Sequence, residues 1–360
     1  MLWAVIMAGG SGERFWPKSR QRKPKQLLAI TSQETLIQLT WQRLVGWVAP
    51  SRVLVITHAL HRDAVLAQLP EIPPENVIAE PVGRNTAPCI GLAARIVHGK
   101  DPSATLLVLP ADHVIHDLEG FQKSLQASAD FVDAHPETLM TFGIRPDHPA
   151  TGYGYLHAGE KMPGKVEIRK VKRFVEKPKL ETAKEYLKSG EYFWNSGIFV
   201  WKAETILKEI QTHMSALSQG LDSIWRDGQT LGLSGAIAKD YPLLESQSID
   251  FGVMEKSKNV SACVAPFDWD DVGSWESIGK HFDSDPEGNV TVGQVELLGC
   301  KNMLVYNLSE KDLIAAAMDM QDHILVQTED AVMVCPKSSD QKVKALLQQI
   351  RQKKRERFLT

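Results

Sequence analysis

Cysteine is scarce in this sequence of 360 residues and follows no recognisable pattern. The four residues, Cys89, Cys263, Cys300 and Cys335, lie far apart, with no CxxC pair and no histidine cluster at zinc-ligand spacing. This spacing excludes a disulfide framework and a cysteine-based metal site. It is typical of a protein that works in a reducing cytoplasm.

An excess of one charge is also lacking, because 41 Lys and Arg residues stand against 44 Asp and Glu residues. A nearly neutral chain gives no reason to expect nucleic acid or an anionic membrane as its main partner. No apolar run reaches membrane-spanning length, and no basic leader precedes the first apolar stretch. We therefore expect a cytoplasmic protein without nucleic-acid or membrane partners, in which any anion binding is local.

What the sequence does contain is a regular alternation of strand-like and helical segments over its first half. The strand-like segments are 2–7, 52–57, 105–109 and 139–144, and the helical segments are 31–48, 85–97 and 118–134. Helices between successive strands require right-handed crossovers. The alternation therefore predicts an α/β fold with a mostly parallel sheet and helices on both of its faces.

A turn-rich stretch at 283–288 predicts a boundary between a catalytic domain, 1–284, and a small domain, 285–360. Residues 289–334 consist of short β-prone pieces with intervening glycines, which favours a small β domain similar to a short left-handed β-helix. Residues 340–358 predict a terminal amphipathic helix with a basic, solvated face. An exposed β face needs a cover, so we expect a homodimer.

The strongest functional signal is the glycine-rich stretch Gly9-Gly10-Ser11-Gly12-Glu13-Arg14, which directly follows the first predicted strand. Glycines at such a turn let backbone N–H groups approach phosphate oxygens, and nearby cations neutralise the phosphates. A triphosphate is the natural ligand of this arrangement. The residues in and near this stretch that we expect to bind a nucleotide are Ala8, Gly9, Gly10, Gly12, Arg14 and Lys25.

Two better-known glycine loops do not fit this stretch. The dinucleotide fingerprint requires its third glycine at the position of Phe15, and the Walker loop requires Gly-Lys-Ser/Thr, which never appears.

The stretch 7–26 resembles the signature of the sugar nucleotidyltransferases. Its Arg14-Phe15-Trp16-Pro17 segment looks like the bacterial mannose-1-phosphate guanylyltransferase branch. Seven further motifs of similar kind follow in order and begin at residues 80, 109, 151, 174, 194, 248 and 269. The resemblance implies a Rossmann-like, nucleotidyltransferase type A-like fold. It also implies transfer of GMP from GTP to α-D-mannose 1-phosphate, giving GDP-mannose and pyrophosphate.

Two acidic residues are the candidate ligands of a divalent ion. Asp112 follows the strand-like segment 105–109, so we expect it at the sheet edge that carries the glycine-rich stretch. The family pattern makes Asp271 the second ligand, and it is preferred over Asp270 because it directly precedes Val-Gly-Ser-Trp. Mg²⁺ is normally held by one or two carboxylates together with phosphate oxygens. We expect Mg²⁺ as cofactor and Arg14, Lys25, Asp112 and Asp271 as the catalytic residues.

The resemblance also implies where the two substrates bind. The expected sugar-phosphate residues, with Lys177 on the phosphate, are Gly152, Tyr153, Glu176, Lys177, Asn195 and Asp271. For the nucleotide the segment 80–88 is expected to recognise guanine, and the nucleotide set is completed by Glu80, Asn85, Thr86 and Asp112. Which groups read the guanine edge stays open.

The expected mechanism needs no general base, because a sugar phosphate is largely a dianion at neutral pH and attacks unaided. Two alternatives remain at this stage: another sugar 1-phosphate or nucleoside triphosphate, and a non-catalytic regulatory subunit that binds GDP-mannose. Some related proteins carry a further C-terminal isomerase domain. No clustered metal ligands follow residue 289, so we expect a single activity.

Overall fold

The computed structural model describes residues 1–10 and 12–360, which form two compact units. The first unit contains 1–9, 40–111 and 115–269, and the second contains 10–39, 112–114 and 270–360. Each unit is built from several separate segments of the chain, so this division does not test a single boundary. The boundary at residue 284 stays a prediction. Ser11 of the glycine-rich stretch lies outside the described residues.

Nine strands among the described residues form one sheet in the first unit. They are β1 (Leu2–Ala8), β2 (Val53–His58), β3 (Val77–Glu80), β4 (Thr105–Pro110), β5 (Leu139–Ile144), β6 (Tyr155–Met162), β7 (Ile168–Val175), β8 (Tyr192–Lys202) and β9 (Val260–Val264). The strand order is β3-β2-β1-β4-β8-β5-β9-β7-β6. The four neighbouring strands β3, β2, β1 and β4 run parallel to one another, as do β5 and β9. Strand β8 is antiparallel to its neighbours β4 and β5.

The parallel strands β1 to β4 of this sheet are buried on both faces. Along β1, Trp3 and Val5 belong to a core that also contains helix residues such as Ile90, whereas Ala4 and Ile6 are buried on the opposite face. A strand buried on both faces is typical of a sheet covered by helices on both sides. The predicted α/β class is therefore confirmed.

The helices of the chain up to residue 240 are α1 (Leu36–Gln42), α2 (Arg62–Gln68), α3 (Thr86–Lys100), α4 (Leu118–Ala134), α5 (Leu180–Ser189), α6 (Ala203–His213), α7 (Ser215–Leu231) and α8 (Leu233–Asp240). The bounds of α4 match the prediction, but the helix predicted over 31–48 is shorter. After Gln42 the backbone changes to tighter turns, with Leu44 N donating to Trp41 O at 2.8 Å, and Gly46 adopts φ +78°.

In the described residues of the second unit there are six short strands and two further α-helices. They are α9 (Trp275–Gly279), β10 (Val290–Val292), β11 (Val295–Leu298), β12 (Leu304–Asn307), β13 (Ala315–Met318), β14 (His323–Gln327), β15 (Val332–Pro336) and α10 (Val343–Gln352). β10, β12 and β14 stack in parallel, and β11 stacks in parallel on β13. Parallel stacking of successive short strands is the geometry of a β-helix, which confirms the predicted small β domain.

The terminal helix is shorter than predicted. The predicted segment 340–358 is α-helical only from Val343 to Gln352, with 3₁₀ turns at Lys337–Lys342 and Glu356–Phe358 on either side, and Lys354 adopts φ +55°. A non-glycine residue in this conformation ends a helix. The predicted solvated face is confirmed, because Arg351, Lys353, Lys354, Arg355 and Arg357 are all exposed, and Arg351 also forms an ion pair with Glu13.

Candidate functional site

A cavity of about 230 Å³ lies within the second unit and collects residues from five separate stretches of sequence. It is lined by Gly12, Glu13, Arg14, Phe15, Lys25, Asp112, His113, Asp271, Gly273 and Lys344. All four predicted catalytic residues, Arg14, Lys25, Asp112 and Asp271, are in this set. The structure thus brings together side chains that are up to 257 positions apart in the sequence.

The glycine-rich stretch enters this cavity through a sharp backbone turn. Gly12 has φ +58° and precedes a single turn of 3₁₀-helix, Glu13–Phe15. A Cβ atom on Gly12 would lie 2.4 Å from the backbone nitrogen of Lys25. Gly10 accepts a hydrogen bond of 3.0 Å from the side chain of Gln26 through its carbonyl oxygen. Glycine at position 12 is therefore required both by the backbone conformation and by the close approach of Lys25.

Lys25 connects the two acidic candidates. Its side chain is buried, and its ammonium group donates to Asp112 Oδ2 at 2.9 Å and to the backbone oxygen of Asp271. Burial alone would raise the pKa of Asp112, but the charges of Lys25 and His113 outweigh it, so the pKa of this carboxyl is lowered. The carboxylate of Asp112 is therefore ionised well below neutral pH.

The turn that carries Asp270 and Asp271 separates these two neighbours. The carboxylate of Asp270 accepts a hydrogen bond of 2.6 Å from the Val272 backbone nitrogen and lies 3.3 Å from His281 Nε2. Its backbone pairs with Val114 in both directions. Asp270 therefore holds the turn, and Asp271 is the one of the two that lines the cavity.

The cavity residues fit a hard divalent ion. Asp112 and Asp271 contribute oxygen donors to one cavity, and Asp112 is about one third exposed, with a relative side-chain accessibility of 36%. No cluster of three or more acidic, histidine or cysteine side chains suited to a metal occurs within residues 1–10 and 12–360. Two carboxylates without further protein ligands suit an ion whose other ligands are phosphate oxygens and water.

Five of the predicted nucleotide-binding residues, Ala8, Gly9, Glu80, Asn85 and Thr86, lie in the first unit. Glu80 ends β3 and is buried, and a Cβ atom on Gly9 would lie 3.1 Å from Glu80 Oε2. Burial raises the pKa of Glu80 to about 7, although the hydroxyl of Tyr241 donates a hydrogen bond that acts in the opposite direction. The carboxyl of Glu80 can therefore exchange a proton near neutral pH.

The helix that follows these residues begins at a strained cap. Asn85 has φ +67°, and its side-chain oxygen accepts a hydrogen bond of 2.9 Å from Thr86 N. The hydroxyl of Thr86 in turn accepts from Ile249 N at 2.9 Å. Asn85 is thus the N-cap of α3.

Five of the predicted sugar-phosphate residues lie in the first unit, and Asp271 lies in the second. Glu176 pairs with Lys177, which has φ +47° and donates its backbone N–H to Tyr153 O at 3.2 Å. Asn195 donates its backbone N–H to Gly154 O at 2.8 Å. These contacts bring Tyr153, Glu176, Lys177 and Asn195 into one region, which Gly152 adjoins as the neighbour of Tyr153 in the chain.

Sequence reasoning assigned no role to Asp250, although this residue lies inside one of the motifs. Asn195 donates to Asp250 Oδ1 at 3.0 Å and accepts from the Thr141 hydroxyl at 2.7 Å. Burial, followed by the charge of Glu176, raises the pKa of Asp250 to about 7. Thr141 and Asp250 thus orient the Asn195 amide, and only the motif that begins at residue 248 pointed toward Asp250.

The fold and the cavity together define a nucleotide-transferring enzyme. The nucleotidyl transferase family matches residues 3–287, and the MannoseP isomerase/GMP-like β-helix domain matches residues 293–350. The chain belongs to the nucleotidyl transferase family and within it to the bacterial mannose-1-phosphate guanylyltransferases. The resemblance seen in the sequence is therefore confirmed. Enzymes of this family generally use a divalent metal ion.

Three similar proteins support this placement. The xanthan biosynthesis protein XanB of Xanthomonas campestris pv. campestris (strain B100) is 39% identical over 96% of this chain and 73% of its own length. The mannose-1-phosphate guanylyltransferase of Escherichia coli (strain K12) is 38% identical over 97% of this chain and 73% of its own. A solved structure, described as mannose-1-phosphate geranyltransferase from Thermus thermophilus, has a TM-score of 0.85 and 31% identity, covering 97% and 99% of the two chains.

Within the part of the chain that the structure describes, no helix combines the length and the apolar character needed to span a lipid bilayer.

Proposed function

We propose that this enzyme transfers GMP from GTP to α-D-mannose 1-phosphate, with release of pyrophosphate and Mg²⁺ as the metal ion. The observation that carries the proposal is the cavity that brings Arg14, Lys25, Asp112 and Asp271 together. The two carboxylates and two cations of these four residues are the groups that phosphoryl chemistry needs, and relatives at 35–39% identity are named for the same reaction.

The reaction is a single in-line displacement. An oxygen of the mannose 1-phosphate forms a bond to the α-phosphorus of GTP, and the bond from that phosphorus to the oxygen bridging to the β-phosphorus breaks. The electron pair of the broken bond leaves with pyrophosphate. No protein group has to remove a proton, because the attacking phosphate is already anionic at neutral pH.

The protein contributes position and charge. The ammonium group of Lys25 donates to the Asp112 carboxylate and to the Asp271 backbone oxygen. The guanidinium group of Arg14 donates to the Gly273 carbonyl oxygen at 3.5 Å. Both groups present positive charge to the phosphates. The proposed backbone contacts to phosphate come from Ala8, Gly9, Gly10 and Gly12. Asp112 and Asp271 would hold Mg²⁺, which supplies positive charge to the reacting phosphates when bound.

For the sugar, we propose that Gly152, Tyr153, Glu176, Asn195 and Asp271 bind the mannosyl ring and that Lys177 binds its phosphate. The hydrogen bonds from Thr141 and to Asp250 fix the orientation of the Asn195 amide, as recognition of a sugar hydroxyl requires. For the nucleotide, we propose that Glu80, Asn85 and Thr86 contact the nucleoside.

The decisive experiment measures pyrophosphate release by the full chain with Mg²⁺ across a small substrate panel. The panel pairs GTP, ATP and UTP with mannose 1-phosphate and glucose 1-phosphate. We expect the highest kcat/KM for GTP with mannose 1-phosphate. Faster turnover of another pair would establish a different sugar or nucleotide specificity, and binding of GDP-mannose without turnover of any pair would establish the regulatory subunit instead.

We further propose that the enzyme works in the reducing cytoplasm as a homodimer. All four cysteines carry free thiols, and Cys89, Cys263 and Cys300 are buried. Such thiols persist where the compartment keeps them reduced.

A further inference from the structure

Helix α10 brings a residue into the cavity that no sequence motif marks. Lys344 lies in the second helical position of α10 and lines the same cavity as Arg14, Lys25, Asp112 and Asp271. Its side chain is exposed, and it forms no ion pair with any residue in 1–10 or 12–360. Lys344 is thus a cation of the cavity whose charge no carboxylate neutralises.

The apolar face of α10 fixes where Lys344 lies. Val343 and Leu347 are four residues apart and are buried in one cluster with Phe15, Trp16 and Trp275. Phe15 and Trp16 directly follow the glycine-rich stretch. Because adjacent residues of a helix point about 100° apart, burial of Val343 directs Lys344 to the side of the helix that borders the cavity.

Polar contacts also connect residues 351–359 to residues 13–21. Arg351 of α10 forms an ion pair with Glu13, and the Trp16 indole N–H donates to Phe358 O at 2.8 Å. The backbone N–H of Gln21 donates to Leu359 O at 2.7 Å. The Arg351–Glu13 ion pair and the buried face of α10 therefore fix this helix against residues 13–16, and Lys344 is held in place relative to Arg14.

The charges of the cavity show which cations are available to an anionic ligand. The ion pairs described above engage Lys25 with Asp112 and Glu13 with Arg351. Arg14 and Lys344 form no ion pair among the described residues, and Arg14 Nε is buried there without a hydrogen-bond partner. A buried donor of this kind needs an acceptor. Phosphate oxygens supply such acceptors for Arg14 and a counter-charge for Lys344.

We propose that Lys344 binds the β- and γ-phosphates of the nucleoside triphosphate, the part that leaves as pyrophosphate. This inference rests on the proposed nucleotidyl transfer. Negative charge develops on the leaving pyrophosphate as the bond to the α-phosphorus breaks, and a fixed cation there stabilises the transition state. The mannose 1-phosphate has its own proposed cation, Lys177, in the other compact unit.

The test compares Lys344→Gln with Lys344→Arg and with Lys353→Gln, a charge-matched control at an exposed position outside the cavity. Calorimetric titration in Mg²⁺ buffer measures the affinity of each full-length variant for GTP, pyrophosphate and GMP. We expect Lys344→Gln to weaken GTP and pyrophosphate binding about tenfold, the loss of one charge-assisted contact. GMP affinity should stay within about twofold, Lys344→Arg should retain most of the affinity, and Lys353→Gln should match the wild type.

Equal pyrophosphate affinity of wild type and Lys344→Gln would overturn the assignment, as would an equal loss of GMP affinity. Absence of GTP and pyrophosphate binding by the folded wild type would overturn it as well. Binding of pyrophosphate requires no turnover, so the result is independent of sugar specificity. A wild type that binds pyrophosphate through Lys344 but forms no nucleotide sugar would refute the proposed reaction and leave this assignment standing.

Discussion

At the scale of the residue, the neighbours Asp270 and Asp271 show how identical side chains acquire different functions. Asp270 accepts the Val272 N–H and pairs with His281, and these contacts, against the opposing effect of burial, lower its pKa. Val272 then adopts φ +46°, a strained conformation for a β-branched residue, while its side chain is fully buried. The strained turn, held by Asp270, determines that Asp271 lines the cavity.

This division predicts opposite consequences for two matched substitutions. We expect Asp271→Asn to lower kcat/KM about 10²- to 10³-fold and to raise the Mg²⁺ concentration for half-maximal rate, because a proposed metal ligand is lost. Its free energy of unfolding should change by less than about 1 kcal/mol. Asp270→Asn should lose about 1–3 kcal/mol of stability, since the Val272 N–H and the His281 ring lose their carboxylate partner, and should keep the Mg²⁺ dependence.

Steady-state kinetics over a Mg²⁺ series and urea unfolding supply both readouts. If folded Asp270→Asn showed the same Mg²⁺ defect as Asp271→Asn, the division of functions would be wrong.

Glu80 gives a second prediction at this scale, on the pH dependence of stability. Its pKa is raised from 4.5 to about 7, so the folded state binds the proton more tightly than the unfolded state does. This stabilisation is present at low pH and is lost as pH rises from about 4.5 to about 7. Glu80→Gln has no such proton, so its stability relative to wild type should rise by up to about 3 kcal/mol across that window.

Urea unfolding of both proteins at a series of pH values measures this difference. In a Tyr241→Phe background the upper limit of the window should move to higher pH, because the hydrogen bond from the tyrosine lowers the pKa of Glu80. A difference between Glu80→Gln and wild type that is independent of pH would contradict the assignment.

At the scale of the element, the β-helix of the second unit depends on buried amides and on glycine at its corners. Asn289 and Asn307 are buried, and Asn307 Nδ2 donates to Gln294 O at 2.9 Å and Leu313 O at 2.6 Å. Gly293 has φ +84°, and a Cβ atom there would lie 2.2 Å from Asn307 O. The corner therefore admits no side chain without displacing the backbone of the next coil.

Two glycine-to-alanine substitutions test this argument with opposite expected signs. Gly293→Ala should destabilise the protein by about 2–4 kcal/mol, through strain and the clash with Asn307. Gly235→Ala lies inside α8, where the added Cβ would meet Leu231 Cβ at 3.6 Å, an ordinary contact. It should stabilise by about 0.5–1 kcal/mol. Calorimetric melting measures both, and equal melting shifts for the two variants would refute the corner argument.

At the scale of the whole molecule, an exposed apolar pair on the second unit bears on assembly. Leu298 and Met318 are opposite each other on β11 and β13, and they are 67% and 68% exposed. Side chains of this size on a small sheet are typically covered by a partner. The pair is therefore our candidate for the surface that the predicted homodimer buries.

Sedimentation of the full chain checks this prediction directly. We expect twice the chain mass of 40.1 kDa for the wild type and a shift toward 40.1 kDa for Leu298→Glu, because a buried carboxylate opposes association. Leu346→Glu, at another exposed leucine on α10, serves as the control that should leave the mass unchanged. A monomeric wild type, or an unchanged dimer with Leu298→Glu, would exclude this surface.

Some features of this protein could be predicted from the sequence, and others could not. Local patterns predicted the bounds of α4 and β5 and the small β domain, because apolar periodicity and turn residues involve only nearby positions. The glycine-rich stretch indicated the family, since glycines and cations at fixed offsets reflect one kind of ligand. Helices α6 to α8 were not predicted, and α1 and α10 were predicted too long, because packing and left-handed residues set their ends.

Short-range patterns along the chain were sufficient to predict the fold class, the family and the residue types that handle phosphate. The contacts by which Lys25 connects Asp112 to Asp271, by which Asp270 holds the turn and by which Lys344 lines the cavity became visible only in the folded unit. Contacts between residues so distant in sequence arise from packing of β-helix, terminal helix and loop within one unit. No spacing along the chain encodes them.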